Sequence, residues 1–128
     1  MQLATVEDKG KPARGTIRIS PAVLIQLIEL TVIGVDGVMG LRSLRKHNWR
    51  RDFDESAHSH DNGKVAVTVS GNQIDAAVSI SLEQGASISE VTQEIRHRIG
   101  FAAGNMLGMT VRSADVYVDD VVTPTPST

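Results

Sequence analysis

The feature that most constrains the fold is a pair of alternating segments joined by a Gly-Asn dipeptide. The first is KVAVTVS, residues 64–70, and the second is QIDAAVSISL, residues 73–82. A glycine-first connection of two residues is typical of a tight β-hairpin. If Ser70 pairs with Gln73, every apolar pair across the two strands falls on the same side. The sequence therefore predicts an antiparallel hairpin with one apolar and one polar face.

Two helices are predicted, one on each side of this hairpin. The first begins after Ser20, which can cap it, and ends at Gly34. It has so few polar positions that it must be buried on most sides or shared with a partner. The second begins with the capping box Ser87-Ile88-Ser89-Glu90 and carries an apolar stripe at spacings of three and four. That stripe comprises Ile88, Val91, Ile95, Ile99, Ala102 and Met106.

The remaining segments complete the sheet. Residues 16–19 alternate like a short strand, residues 35–41 are extended, and residues 110–121 form a last strand with Val116 and Val118 inward. The order β-α-β-β-β-α-β predicts an α/β fold, a two-layer sandwich whose mixed sheet of about five strands has two helices on one face. We expect the acidic residues of the last strand to lie on a solvated polar face. They are Asp115, Asp119 and Asp120.

Length and composition favour one globular unit. A chain of 128 residues is the size of a single domain. We expect a flexible arm over residues 1–15, one domain over residues 16–122 and a disordered tail over residues 123–128. The net charge of -2 gives no global attraction to nucleic acid. No stretch approaches the roughly 18 apolar residues of a membrane span, so we expect a cytoplasmic protein without an integral membrane segment.

A long charged connection, residues 41–63, joins the second strand to the hairpin. It holds the only tryptophan, with basic side chains around it and acidic ones after it. Basic residues around an aromatic ring can bind a partner or a single nucleic-acid strand. We expect Leu44 and Trp49 to contact apolar surface, and residues from about 52 to 62 to be disordered. The predicted partner-binding residues are Arg42, Arg45, Lys46, Trp49, Arg50 and Arg51.

The same connection contains His58 and His60, which suggest a metal site with a nearby aspartate. Zinc needs three or four converging ligands, and a flexible loop does not position them, so we expect no metal and no cofactor. The chain has no phosphate-binding glycine loop, no G-x-S-x-G and no H-E-x-x-H motif. We therefore expect a binding or scaffolding module rather than an enzyme.

Three glycines, Gly100, Gly104 and Gly108, recur at intervals of four near the end of the second helix. This spacing puts them on one helix face, where missing side chains permit close backbone approach. Each costs about 1 kcal/mol of helix propensity relative to alanine. Two interpretations follow, close packing within the chain and self-association, and Gly108 is also placed to end the helix.

Four stretches together resemble the alkaline-shock-protein family of bacterial envelope stress response proteins. They are GTIRISPAVLIQLI, GVDGVMGL, GKVAVTVSGNQIDAAVSISLEQGASISEVTQEIRHRI and MTVRSADVYVDDV. The resemblance, over roughly residues 15–122, implies a non-enzymatic cytoplasmic protein of cell-envelope homeostasis and stress. It further implies a membrane-anchored protein partner at the inner membrane face, a homo-oligomer, and no catalytic or cofactor residues. A small nucleic-acid-binding protein using the loop around Trp49 is the less favoured alternative.

Overall fold

The structure is a computed structural model that describes residues 19–49 and 57–123. Its elements, in chain order, are α1 (Pro21–Ile33), β1 (Val38–Arg42), β2 (His58–Asp61), β3 (Val65–Ser70), β4 (Gln73–Glu83), α2 (Ile88–Leu107) and β5 (Thr110–Val122). The predicted α/β fold, with two helices and a five-stranded mixed sheet, is confirmed. The strand predicted over residues 16–19 lies outside the described residues except for Ile19.

Strand β4 organises the sheet. Strand β3 pairs antiparallel with residues 73–78 of β4, and β1 pairs antiparallel with residues 79–82. Strand β5 runs parallel to β4 along its whole length, and β2 extends the sheet beyond β3. Because β4 reaches β5 through α2, this parallel pair is the one that the helical connection predicted.

The hairpin has the register that the sequence predicted. Its turn places Gly71 at a φ of 62°, in the left-handed region that favours glycine. One side of the hairpin is entirely apolar, which fixes the register because a slip of one residue would turn that side to the opposite face. On this side, Val69 pairs with Ile74, Val67 with Ala76 and Val65 with Val78, and Ser70 pairs with Gln73 next to the turn.

The main core lies between the apolar sheet face and the two helices. Helix α1 contributes Leu24, Ile25, Ile28 and Val32, and α2 contributes Val91, Ile95, Ile99 and Ala103. The stripe predicted for α2 is correct in its middle and wrong at both ends. Ile88 and Met106 are 55% and 67% exposed, and Ala103, not Ala102, completes the buried row. At the end of the helix, Leu107 rather than Met106 packs against the main core.

Side chains cap both helices as the sequence predicted. The Oγ atom of Ser20 accepts a hydrogen bond of 3.2 Å from the N–H of Val23, and that of Ser87 accepts one of 3.2 Å from the N–H of Glu90. Gly108 ends α2 in the left-handed conformation, at a φ of 66°. These contacts satisfy backbone groups that lack partners inside the helix.

Strand β2 corrects the expectation of disorder through residue 62. It pairs antiparallel with β3 over all four of its residues, and the hydroxyl oxygens of Ser59 and Thr68 lie 2.9 Å apart. The sequence HSHD has no apolar alternation, so its periodicity gave no strand signal. Backbone pairing with β3 defines this strand. Residues 52–56, where disorder was also expected, lie outside the described residues.

Candidate interaction surfaces

Residues 43–49 cross the face of the sheet opposite the helices. Leu44 anchors them, because its side chain is only 1% exposed and packs with Ala66 and Ala77 in a second apolar cluster. Trp49 and Tyr117 pack against the same cluster. The backbone N–H of Leu44 donates a 2.8 Å hydrogen bond to the carbonyl of Gly63. The prediction that Leu44 and Trp49 contact apolar surface is confirmed.

A polar network around Asp119 ties this segment to β5. Asp119 accepts hydrogen bonds from the hydroxyl of Ser79 and from the His47 imidazole, whose Nε2 lies 2.7 Å from the carboxylate. The ammonium of Lys46 lies 3.5 Å from the other carboxylate oxygen. The imidazole also stacks on the ring of Tyr117, with centroids 3.9 Å apart. Two segments that are distant in sequence are thereby joined.

Burial and charge act on the Asp119 carboxyl in opposite directions. Burial by itself raises its pKa, while hydrogen bonds from Ser79 and His47 and the charges of His47 and Lys46 lower it. The pKa of Asp119 is lowered overall from its usual 3.8. The carboxyl is therefore held as a carboxylate, because its donors favour the charged form more strongly than burial disfavours it.

The network contains a serine, a histidine and an aspartate, but not in the order that activates a nucleophile. In a catalytic triad the imidazole lies between serine and carboxylate and takes the serine proton. Here the carboxylate of Asp119 lies between them, accepting from both. Ser79 is also fully buried. This arrangement holds the covering segment on the sheet and does not prepare Ser79 to attack a substrate.

The expectation of a solvated polar face is wrong for much of this surface. The side chain of Asp119 is only 12% exposed. Small polar residues of the central strands are buried on the same face, because they lie at positions that alternate with the main core. They are Thr68, Asp75, Ser79 and Ser81. Asp75 is neutralised by Arg112, whose guanidinium lies 2.8 Å from it.

The predicted basic residues are only partly available to a partner. The guanidinium of Arg42 lies 3.8 Å from Asp120, and the ammonium of Lys46 lies beside Asp119. Arg45 is exposed. Together with Arg42 and Lys46 it lines an open hollow of about 210 Å³ that also contains Asp119. The structure thus brings three predicted cations together, with carboxylates beside two of them.

The other predicted partner-binding residues have different environments. Trp49 is half-buried against the second cluster, so its ring is not a free platform for stacking a base. Arg50 and Arg51 lie outside the described residues. The sequence does not indicate His47, Ser79 and Asp119 as a group, because they come from three segments that meet only in the folded chain.

An apolar stripe lies on the outer side of α1, opposite its buried row. Val23, Leu30 and Ile33 are all about half exposed or more. On α2, Phe101 is also exposed, beside the ion pair between Arg98 and Glu94. A guanidinium nitrogen of Arg98 lies 3.3 Å from the carbonyl of Gly34 at the end of α1, so this flank of α2 faces α1. We refer to Val23, Leu30 and Ile33 as the outer stripe of α1.

The three glycines of α2 do not serve close packing within the described chain. A Cβ atom at Gly100 would meet no atom within 4 Å, and one at Gly104 would meet only the carbonyl of Met109 at an ordinary 3.8 Å. Gly108 is the left-handed cap, as the sequence suggested. The steric reason for the first two glycines must therefore lie outside residues 19–49 and 57–123 or be absent.

An open cleft of about 660 Å³ lies between the start of α1, the end of α2 and strand β2. Its walls are mainly apolar. Leu24 is buried and His58 is exposed, so the cleft runs from an aliphatic floor to a polar mouth. The lining residues are Ile19, Ser20, Pro21, Leu24, His58, His60, Val69, Gly71, Asn72, Leu107, Gly108 and Met109.

Two further observations concern membrane crossing and metal binding. Neither described helix has the length and apolar character needed to cross a bilayer. Among residues 19–49 and 57–123, no group of three histidine, aspartate or glutamate side chains is placed to hold a metal ion. His58 and His60 of β2 form no such group with the adjacent Asp61.

Comparison with known proteins assigns the family. The model of the alkaline shock protein 23 family, described by a cell envelope-related function, matches residues 9–123. The chain belongs to this family. The resemblance carried by the four sequence stretches is therefore confirmed. The function of this alkaline shock protein family member is cell envelope-related.

Individual relatives are more distant. Uncharacterized protein Spy1614 of Streptococcus pyogenes serotype M6 is 26% identical over 109 residues, which are 84% of this chain and 88% of that protein. A MamM CTD in a manganese form has a TM-score of 0.42 at 15% identity, over 77% of this chain and 96% of its own. A copper form has a TM-score of 0.39 at 13% identity, over 81% and 98%.

Proposed function

We propose that this alkaline shock protein family member is a non-enzymatic interaction module in cell-envelope homeostasis and stress response. It binds copies of itself and a membrane-anchored protein, which holds it at the inner face of the membrane. The cell envelope-related description of the family supports the setting. The outer stripe of α1 supports the mode of action.

That stripe is the observation that carries the proposal. Helix α1 already buries one apolar row in its own core, yet it exposes Val23, Leu30 and Ile33 on another side. A helix that packs on one side only would place polar residues there. Apolar side chains grouped on a surface mark protein interaction sites. The outer stripe is therefore the surface that we assign to self-association and partner binding.

Nucleic-acid binding is less well supported. Its sequence basis is a set of cations around Trp49, and this ring packs against the second cluster. Arg42 and Lys46 lie beside carboxylates of β5, which reduces the local attraction for phosphate. Salt-sensitive binding to single-stranded RNA would be the result that favours this alternative.

Sedimentation tests the self-association. The average mass of the wild-type chain should rise with concentration in analytical ultracentrifugation, and that of the Leu30→Gln variant should stay at the monomer value. Glutamine preserves helix propensity but removes the apolar contact. The matched control is Val121→Gln, at a β5 residue that is 54% exposed and outside the outer stripe of α1. A wild-type chain that stays monomeric at high concentration would contradict this part.

Affinity capture tests the membrane-anchored partner. Tagged wild-type chain is incubated with solubilised membranes of the native host, and retained proteins are identified by mass spectrometry. We expect a protein with a membrane-spanning segment to be retained by the wild type and by Val121→Gln, and to be lost with Leu30→Gln. If all three chains retain the same proteins, the outer stripe is not the docking surface.

A further inference from the structure

The cleft between α1, α2 and β2 has the size and lining of a small-ligand site. Its volume of about 660 Å³ falls within the range of about 300–1,000 Å³ that is usual for such sites. Aliphatic side chains from three elements converge on it, namely Leu24 from α1, Val69 from β3 and Leu107 from α2. This lining would accept a hydrocarbon chain and would not attract a hydrated polar molecule.

The charge character of the cleft is set by two residues. Among the described residues that line it, His58 and His60 are the only ionisable side chains, and none of these residues is a carboxylate that would repel an anion. They alternate on β2 with Ser59, and opposite them on β3 lie Val69 and Val67 of the main core. Both imidazoles therefore lie on the helix side of the sheet.

The imidazoles are available to a ligand. In the described part of the chain, neither makes a side-chain hydrogen bond or a ring contact, whereas His47 makes both. Two imidazole N–H groups at the mouth of an apolar cleft can donate to one carboxylate. Hydrogen bonds to an ionised acceptor are the stronger kind. The remaining polar side chains of the lining, Ser20 and Asn72, are neutral.

We propose that this cleft binds a fatty-acid-like anion, a single acyl chain with a carboxylate head. The chain lies against Leu24, Val69 and Leu107, and the carboxylate accepts hydrogen bonds from His58 and His60. This site is separate from the outer stripe of α1, so the inference does not rest on the interaction module. It also gives the two histidines a role that needs no metal ion.

Titration with dodecanoate tests the site, with the ligand kept below its micellar concentration so that binding reports a dissolved molecule. Calorimetry should give a saturable one-to-one complex, and nuclear magnetic resonance shifts should concentrate at the cleft. Dodecanol, which has the same chain length without the charge, should bind about tenfold more weakly, as expected when hydrogen bonds to a charged group are lost.

Variants separate the contribution of the carboxylate head from that of the acyl chain. In His58→Ala/His60→Ala, dodecanoate should lose its roughly tenfold advantage over dodecanol, since the donors are gone. The matched control is His97→Ala, at an exposed helix position away from the cleft, which should keep that advantage. In Leu107→Trp, the added ring should fill the cleft and weaken both ligands. Circular dichroism checks that each variant folds. If Leu107→Trp misfolds, the histidine variants still test whether the cleft binds the carboxylate head.

Several results would overturn the inference. They are the absence of saturable dodecanoate binding to the wild type, shifts centred on the outer stripe of α1, and an advantage over dodecanol that survives removal of both histidines. Equal binding of dodecyltrimethylammonium, which carries the opposite charge, would contradict the assignment of an anionic head.

Discussion

At the scale of single residues, Asp119 shows how one carboxylate can fix the position of a segment far away in sequence. It accepts from Ser79 on the neighbouring strand and from His47 on the covering segment, 72 positions away. Its pKa is lowered because these donors and Lys46 outweigh the effect of burial. The sequence pattern alone placed Asp119 on a polar strand face, and nothing in it indicated that the face would be covered.

Replacing this carboxylate should make the free energy of unfolding depend less on pH in the acid range. A carboxyl whose pKa is lowered on folding stabilises the protein at higher pH and stops doing so as pH falls through the lowered value. The Asp119→Asn variant should therefore be less stable than wild type by about 1–2 kcal/mol at neutral pH. The difference should shrink as pH falls below the usual 3.8. Urea denaturation at a series of pH values measures it.

The neighbouring carboxylate supplies the control for this experiment. Asp120 lies on the same strand, but its side chain is 45% exposed and 3.8 Å from Arg42. Exposed pairs of this kind contribute about 0–1 kcal/mol, so Asp120→Asn should change stability little at any pH. If the two variants behave alike, the polar network around Asp119 has no special role in stability.

At the scale of elements, strong local patterns predicted structure well and weak ones did not. The hairpin and both helices followed from alternation, caps and glycines that act over a few residues. Strand β2 has no such pattern, because its four residues are polar and its pairing is made by the backbone. The segment that covers the sheet, residues 43–49, could likewise be predicted only in part. Its apolar anchor could be predicted, but its site on Ala66 and Ala77 depends on contacts distant in sequence.

The glycines of α2 give a prediction at this scale. Alanine at Gly100 or Gly104 meets no close neighbour, so each substitution should stabilise the isolated chain by about 0.5–1 kcal/mol through helix propensity. Alanine at Gly108, with a φ of 66°, should destabilise it by about 1 kcal/mol because that conformation disfavours a side chain. Thermal unfolding at low protein concentration measures all three.

The same variants also test whether the glycine face contacts another chain. If copies approach one another there, Gly100→Ala and Gly104→Ala should reduce self-association while increasing monomer stability. If the monomer is stabilised and association is unchanged, the glycines have no packing role in either setting. Loss of monomer stability in both variants would show that the space around these two residues is smaller than the structure indicates.

At the scale of the whole molecule, the chain has two apolar clusters that share one sheet. Alternate residues of β4 belong to different clusters, with Val78 in the main core and Ala77 in the second one. The two-layer arrangement could be predicted from the number and patterning of the elements. The third layer formed by residues 43–49 could not, because only one fully buried side chain, Leu44, anchors it and its polar contacts include Asp119 of β5, which lies 72 positions from His47.

Because both clusters contain residues of β4, the structure predicts how the wild-type chain unfolds. Trp49 is the only tryptophan, so its fluorescence reports on the second cluster, whereas far-ultraviolet circular dichroism reports mainly on the helices of the main core. Because loss of β4 removes both clusters together, the two signals should give coincident urea transitions, as a cooperative domain requires. Separate transitions in the wild type would mean that residues 43–49 open independently of the sheet.

Weakening the anchor should separate these signals. Leu44→Ala removes a fully buried side chain and should cost about 2–4 kcal/mol. Most of that loss should fall on the covering segment, so the fluorescence transition should move to lower urea than the circular dichroism transition. The matched control is Met106→Ala, at a side chain that is 67% exposed and outside the outer stripe of α1, which should leave both transitions in place. If Leu44→Ala shifts both signals equally, the covering segment and the sheet are a single cooperative unit, and the second cluster contributes to the stability of the whole fold.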